Sequence, residues 1–176
     1  MTTNYLFAGF GGQGILFSGK LLAYKGLMEG KYVSWLPSYG PEMRGGTASC
    51  SVIISDEPIG APIVLEPDVL IAMNLPSLDR YESSVVPGGK VYADSSLIER
   101  KLERTDIEGV YIPATSLASE KGMEGLANMI IAGKIIADAD EWNEESIGKA
   151  LGKCISARHQ DMLAINKNAL ELGKNF

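Results

Sequence analysis

The sequence predicts a three-layer α/β/α fold with a mixed but mostly parallel sheet and C-terminal helices, and three observations carry it. A short apolar run, Asn4–Ala8, ends directly in a glycine cluster and is followed by a mostly apolar stretch of helical length, the pattern of a buried strand feeding a helix. The segment Leu36–Gly46, with two prolines and three glycines, is too short and too broken to be a helical crossover between parallel neighbours, so one strand must be reversed. The last third changes from strand-like to helix-like periodicity.

Each element follows in order. Asn4–Ala8 is the first strand, and Ile15–Met28 is a helix whose polar exceptions are Ser18, Lys20 and Lys25, closed by Gly30. Tyr32–Trp35 reads as the second strand. Thr47–Ile54 reads as the third, with Ala48, Cys50, Val52 and Ile54 on one face and Thr47, Ser49 and Ser51 on the other, which predicts a half-exposed strand. Asp68–Met73, Lys90–Ala93 and Gly109–Ile112 complete the strands. Helices are expected over Glu124–Ala139, Glu144–Gly152 and His159–Gly173, the last with Met162, Ile165, Ala169 and Leu172 on one face. No repeat or linker interrupts residues 1–176, which read as a single domain.

Composition narrows the function. Hydrophobic residues make up 45% and charged residues 22% of 176, which suits a folded globular chain rather than a disordered one. A net charge of −6 without any long basic run argues against nucleic acid as a partner. No stretch has the length of apolar sequence that a membrane span requires, and no leader pattern opens the chain, so a cytoplasmic location is expected. Cys50 and Cys154 form no C-x-x-C pair from which a metal or iron–sulfur site is built, and the lone His159 has no sequence partner that would orient it for catalysis. Both cysteines read as small buried hydrophobes.

Two loops carry the chemistry. Gly9-Phe10-Gly11-Gly12-Gln13-Gly14 fits G-x-G-x-x-G between a strand and a helix, where glycines let a backbone approach an anion and the helix amides hold phosphate oxygens. A tight turn that only packs helix on strand is the alternative. A dinucleotide site would add an acidic residue after the second strand, yet Trp35-Leu36-Pro37 follows there. The second loop, Pro37 to Gly46, combines Ser38, Tyr39, Gly40, Glu42, Arg44, Gly45 and Gly46. If the second strand parallels the first, that loop meets the glycine loop at one sheet edge, and Arg44 offers a guanidinium to the same crevice. Asn74, after the fourth strand, either contacts a ligand or caps a helix. No catalytic residue and no metal ligand is expected in this chain.

These glycine-loop residues, together with Trp35 to Thr47 and Ile71 to Asp79, resemble the gamma subunit of 2-oxoacid:ferredoxin oxidoreductases over nearly the whole chain. The resemblance implies the domain that helps bind coenzyme A, corresponding to the coenzyme A-binding domain of pyruvate:ferredoxin oxidoreductase. It implies a hetero-oligomer with alpha, beta and optionally delta subunits, in which thiamine diphosphate, magnesium and iron–sulfur clusters lie in the partners. The assembled enzyme would oxidatively decarboxylate a 2-oxoacid to its acyl-CoA and reduce ferredoxin, while the isolated chain would have no activity. Pyruvate-type gamma chains carry Arg-Gly-Gly in the glycine loop and a second arginine in place of Met43. Phe10-Gly11-Gly12 and Met43 are closer to the 2-oxoglutarate and branched-chain 2-oxoacid types. The indolepyruvate enzyme's small subunit, a free-standing NAD(P)-binding module and a purely structural subunit are the competing expectations.

Overall fold

The computed structural model describes residues 1–39 and 46–176. In chain order the elements are β1 (Thr2–Phe10), α1 (Ile15–Met28), β2 (Tyr32–Tyr39), β3 (Thr47–Ser55), β4 (Val69–Ala72), α2 (Leu75–Tyr81), β5 (Lys90–Asp94), β6 (Glu108–Ile112), α3 (Ala114–Glu120), α4 (Ala127–Asp138), α5 (Glu144–Cys154) and α6 (Asp161–Lys174). The six strands form one sheet in the order β2-β3-β1-β4-β5-β6. β1, β4, β5 and β6 pair in parallel, whereas β3 is antiparallel to both β1 and β2. β2 therefore points the same way as β1, and β3 alone is reversed, which makes the sheet mixed and mostly parallel as the broken Leu36–Gly46 segment predicted.

Side chains alternate across the pleat and divide the core in two. Tyr5, Phe7, Ile71 and Tyr92 pack against apolar residues of α1, α3, α4, α5 and α6 on one face. Leu6, Leu70, Ala72 and Val91 pack on the other against Leu78 of α2, Val85, Ile98 and Ile107. The second outer layer is thinner, being one short helix, a 3₁₀ turn at Glu82–Ser84 and irregular chain.

Helix α1 has the expected bounds, and Gly30 follows it with φ 76°. Two of its polar exceptions are buried with partners: Ser18 Oγ donates to the Gly14 carbonyl at 3.1 Å, and Lys25 Nζ donates to Glu29 at 3.0 Å and to Glu141 at 3.5 Å. Burial of a lysine is tolerated when its charge is paired in this way.

Four sequence expectations need correction. β2 continues through Leu36, Pro37 and Ser38 to Tyr39, because it is the sheet's edge strand, and a strand with one unpaired side accepts a proline. β3 is not half exposed: Ser51 and Ile53 are buried along with Ala48, Cys50 and Val52. The chain returning across the second face covers them, with the Val64 N–H donating to Ser51 Oγ at 3.2 Å. α4 begins at Ala127 rather than Glu124, after Gly125 at φ 84°. In α6 the buried side chains are Asn166, Ala169, Leu170 and Gly173, while Met162 is exposed. That helix approaches α4 backbone to backbone at Leu170 and Gly173, which face Gly133 and Ile130. No helix of the described residues is long and apolar enough to cross a membrane.

The thin second layer is pinned at Glu82. Its carboxylate accepts from Arg100 Nη1 at 2.8 Å and from the backbone N–H groups of Glu103 at 2.6 Å and Arg104 at 3.1 Å. Burial pushes this carboxyl towards its neutral form, but those hydrogen bonds outweigh burial and hold its pKa below the ordinary glutamate value. A lowered folded-state pKa contributes stability that is present above the unfolded value and lost as pH falls through the folded one. Glu82→Ala should therefore lower unfolding free energy at neutral pH by about 2–3 kcal/mol, because it leaves two backbone amides without their acceptor and removes one of the two carboxylates that Arg100 pairs with. In urea titrations that deficit should shrink as the pH drops below 4.5, the ordinary value for this side chain. An unchanged deficit at pH 3 would show that the carboxylate charge does not hold this layer.

Candidate functional site

The carboxyl edge of the parallel strands brings the predicted loops together. Phe10 at the end of β1 is paired with Thr47 at the start of β3, and Tyr39 at the end of β2 with Ala48. The Gly11 N–H donates to the Gly46 carbonyl at 3.1 Å, joining the glycine loop to the far end of the second loop. Ser38 and Tyr39 are both exposed at this edge. Gly40, Glu42, Arg44 and Gly45 lie outside the described residues.

The glycine loop is a tight turn with a defined scaffold. The Gln13 N–H donates to the Phe10 carbonyl at 3.2 Å, with Gly12 at φ 95° inside the turn and Gly14 at φ 71° capping α1. Positive φ at both positions is why glycine is needed there. A side chain on Gly14 would run into the Asn128 amide, whereas one on Gly12 would meet nothing within 4 Å and would project into open space. Backbone approach is therefore open at Gly12. The N–H groups of Ile15, Leu16 and Phe17 find no acceptor among the described residues, which is the state of a helix start that suits an anion.

Behind the loop, Gln13 is the keystone. Its Oε1 accepts from the Phe10 N–H at 2.7 Å and from Asn74 Nδ2 at 3.2 Å, and its Nε2 donates to the Met73 carbonyl at 3.0 Å. Asn74 in turn accepts from the Ser77 N–H at 2.9 Å, capping α2. The geometry gives Gln13 and Asn74 positioning roles, with their amide groups directed at the protein. Gln13→Ala should cost about 1–2 kcal/mol of stability and leave the loop untied. Amide hydrogen exchange at Phe10 should then accelerate well beyond the global change, and proportionate acceleration across all amides would mean that Gln13 only stabilises the fold.

Asn128 is the functional-edge residue that sequence reasoning left without a role. At the first turn of α4 it donates Nδ2 to the Gly14 carbonyl at 3.0 Å. With 114 positions between the two residues, nothing local signals the pairing. Two cavities flank this loop. One, of about 340 Å³, opens past Gly12 and Gln13 between Met73, Leu97, Thr115 and Glu124. The other, of about 550 Å³, lies on the opposite side of Gly14, between α1, α4 and α6. No lysine or arginine lines the described part of either, and His159 borders the second.

The two cysteines are not poised as nucleophiles. Burial pushes the Cys50 thiol up to about 12 and the Cys154 thiol up to about 11, so neither is a thiolate nucleophile at neutral pH. Among the described residues no three His, Cys, Asp or Glu side chains gather as a metal-binding group. The sheet order also departs from a dinucleotide-binding fold. There the ribose-binding acid ends the strand beside β1, but here the reversed β3 occupies that place.

Comparison with known proteins agrees with this architecture. The chain is 39% identical over 170 residues to the ketoisovalerate oxidoreductase subunit VorA of Methanothermobacter marburgensis, covering 96% of this chain but only 35% of that protein. The keto/oxoacid ferredoxin oxidoreductase gamma subunit of Geobacter sulfurreducens superposes with a TM-score of 0.82 at 26% identity, covering 98% of this chain and 96% of that one. A 2-oxoglutarate:ferredoxin oxidoreductase of Magnetococcus marinus, solved with 2-oxoglutarate, coenzyme A and succinyl-CoA bound, shares the fold with a TM-score of 0.87 at 23% identity, over 99% of this chain and 30% of that one. The same unit thus occurs both as a separate subunit and as about a third of a longer chain. Residues 4–176 match the model of the pyruvate ferredoxin/flavodoxin oxidoreductase family, and the chain belongs to that family.

Proposed function

We propose that this chain is the gamma component of a cytoplasmic 2-oxoacid:ferredoxin oxidoreductase and that its carboxyl-edge loops help bind coenzyme A. The observation that carries the reading is the αL-capped start of α1, whose unpaired amides face the sheet edge beside the open Gly12 backbone. Such a cradle suits a phosphate-bearing ligand. Gly12, with Gly11 beside it, supplies the open backbone approach, Gly9 and Gly14 pack the loop against Ile15 and Asn128, and Arg44 would supply a charged donor for another anionic group. Coenzyme A supplies the thiol that accepts an acyl group. This chain's residues would bind and orient it without making or breaking a covalent bond.

The relatives' names support 2-oxoglutarate or 2-oxoisovalerate as the substrate class. Alpha and beta subunits, with an optional delta subunit, would carry thiamine diphosphate, magnesium and iron–sulfur clusters and pass electrons to ferredoxin. The test is co-expression with those subunits followed by kinetics. Arg44→Ala should raise the KM for coenzyme A roughly tenfold or more, the scale of a lost charge-assisted contact. Carbon dioxide release in the half-reaction without coenzyme A should persist. If the substitution abolished that half-reaction while the complex remained assembled, the arginine would belong to 2-oxoacid chemistry and the reading would fall.

A further inference from the structure

The outer side of the edge strand β2 has no partner strand among the described residues, and the hydrogen-bond phase of the sheet fixes which backbone groups it offers. The Gly11 N–H donates to the Gly46 carbonyl and the Asp56 N–H to the Met1 carbonyl, so the even-numbered residues of β3 turn their backbone groups towards β1. The odd-numbered ones turn theirs towards β2, where they face Tyr32, Ser34, Leu36 and Ser38. Val33, Trp35, Pro37 and Tyr39 therefore direct their carbonyls outward, and all but the proline direct an N–H there as well. An edge of eight residues without a charged side chain is the kind of template that proteins cover.

The surroundings of this edge are apolar on both faces of the sheet. On the α1 side, Val33 and Trp35 form a groove of about 400 Å³ with Ala23, Tyr24 and Leu27. On the other side Tyr32, Ile63 and Leu65 are exposed, the last two flanking Val64, which is tied to Ser51 opposite Leu36. Apolar side chains on both faces suit an added strand, whose own side chains fall alternately to either face. The groove holds one charge, Lys20, whose Nζ lies 5.8 Å from the centre of the Tyr24 ring and forms no ion pair among the described residues. A carboxylate on the added strand would pair with it. A second copy of this chain, packed edge to edge, would instead bring another Lys20 and another proline without a donor to the same seam.

We infer that in the assembled enzyme the outer edge of β2 is extended by a strand of a companion subunit, apolar at alternate positions and acidic where it passes Lys20. The inference rests on reading this chain as one component of a larger assembly, and it accords with relatives in which the same unit is about a third of a longer chain.

The test is hydrogen exchange resolved to single amides, on the isolated chain and on the complex co-expressed with its companion subunits. In the isolated chain the Ser34 and Leu36 amides, bonded to β3, should exchange slowly and those of Val33 and Trp35 quickly. Assembly should slow Val33 and Trp35 by roughly a hundredfold or more. Val33→Pro removes an outward donor without touching the ladder to β3, and Lys20→Glu reverses the groove's charge. Each should raise the dissociation constant for the companion subunit about tenfold or more. If Val33→Pro does not fold, the exchange comparison and Lys20→Glu still decide the matter. Fast exchange at Val33 and Trp35 in an intact complex would overturn the edge seat and leave the assembly reading standing. Protection of those amides that appears in the isolated chain and grows with its concentration would make a second copy the occupant and overturn the companion strand. If no complex forms on co-expression, the seat and the assembly reading fall together.

Discussion

Gly133→Ala should destabilise the protein by about 3 kcal/mol or more, even though alanine is the better helix former by about 1 kcal/mol. Gly133 lies within α4, and a methyl group there would run into the backbone of Leu170 in α6. Gly173 of α6 faces the Ile130 backbone of α4 in the same way. These helices touch main chain to main chain, so no flexible side chain can move aside, and the crossing must open along its length. For a domain of this size the expected fall in Tm is about 6–12 °C. Gly148, in α5 and with nothing within 4 Å of an added Cβ, is the matched control. There the same substitution should stabilise by up to about 1 kcal/mol. Two glycine-to-alanine changes in helices, with opposite signs, isolate packing from propensity. If both stabilised, the close α4–α6 approach would not exist in solution.

Gly12→Val should be the most damaging change to ligand handling. The valine would be forced into φ near 95°, which costs roughly 1–3 kcal/mol of stability. Since no neighbour lies within 4 Å of the added Cβ, that strain is the main structural cost. The fold should survive with a modest fall in Tm. The branched side chain, however, would stand where the proposed ligand approaches the loop. In the assembled enzyme the KM for coenzyme A should rise roughly tenfold or more, while carbon dioxide release in the half-reaction stays near the native rate. An unchanged KM would place the coenzyme away from this loop.

Local patterns made much of this molecule legible. The strand–glycine–helix unit at Asn4–Met28 can be read because its periodicity, its glycines and its closing Gly30 all lie within one stretch of chain. What escaped the sequence was decided at a distance. Pro37 looked like the end of a strand, but β2 is an edge and tolerates it. Ser51 looked like a solvent position, but chain arriving 13 positions later covers it. In α6 the expected face kept Ala169 buried but left Met162 exposed, and Leu170 and Gly173 were missed because their backbones make the close approach to α4. Asn128 reaches the glycine loop only through the packing of α4 on α1, which no spacing rule encodes.

The position of β1 has a consequence for how the chain is made. It lies at the centre of the sheet, yet its partners are β3, at residues 47–55, and β4, at residues 69–72. In chain order β1 precedes both of its neighbours, so its ladder to β3 needs residues 47–55 and its ladder to β4 needs residues 69–72. A chain ending before residue 69 would hold β1 with one side of Tyr5-Leu6-Phe7-Ala8 unpaired, the kind of strand edge that associates with other chains. Truncations ending before residue 69 should therefore aggregate, and only those that include β4 should give the central pair of ladders.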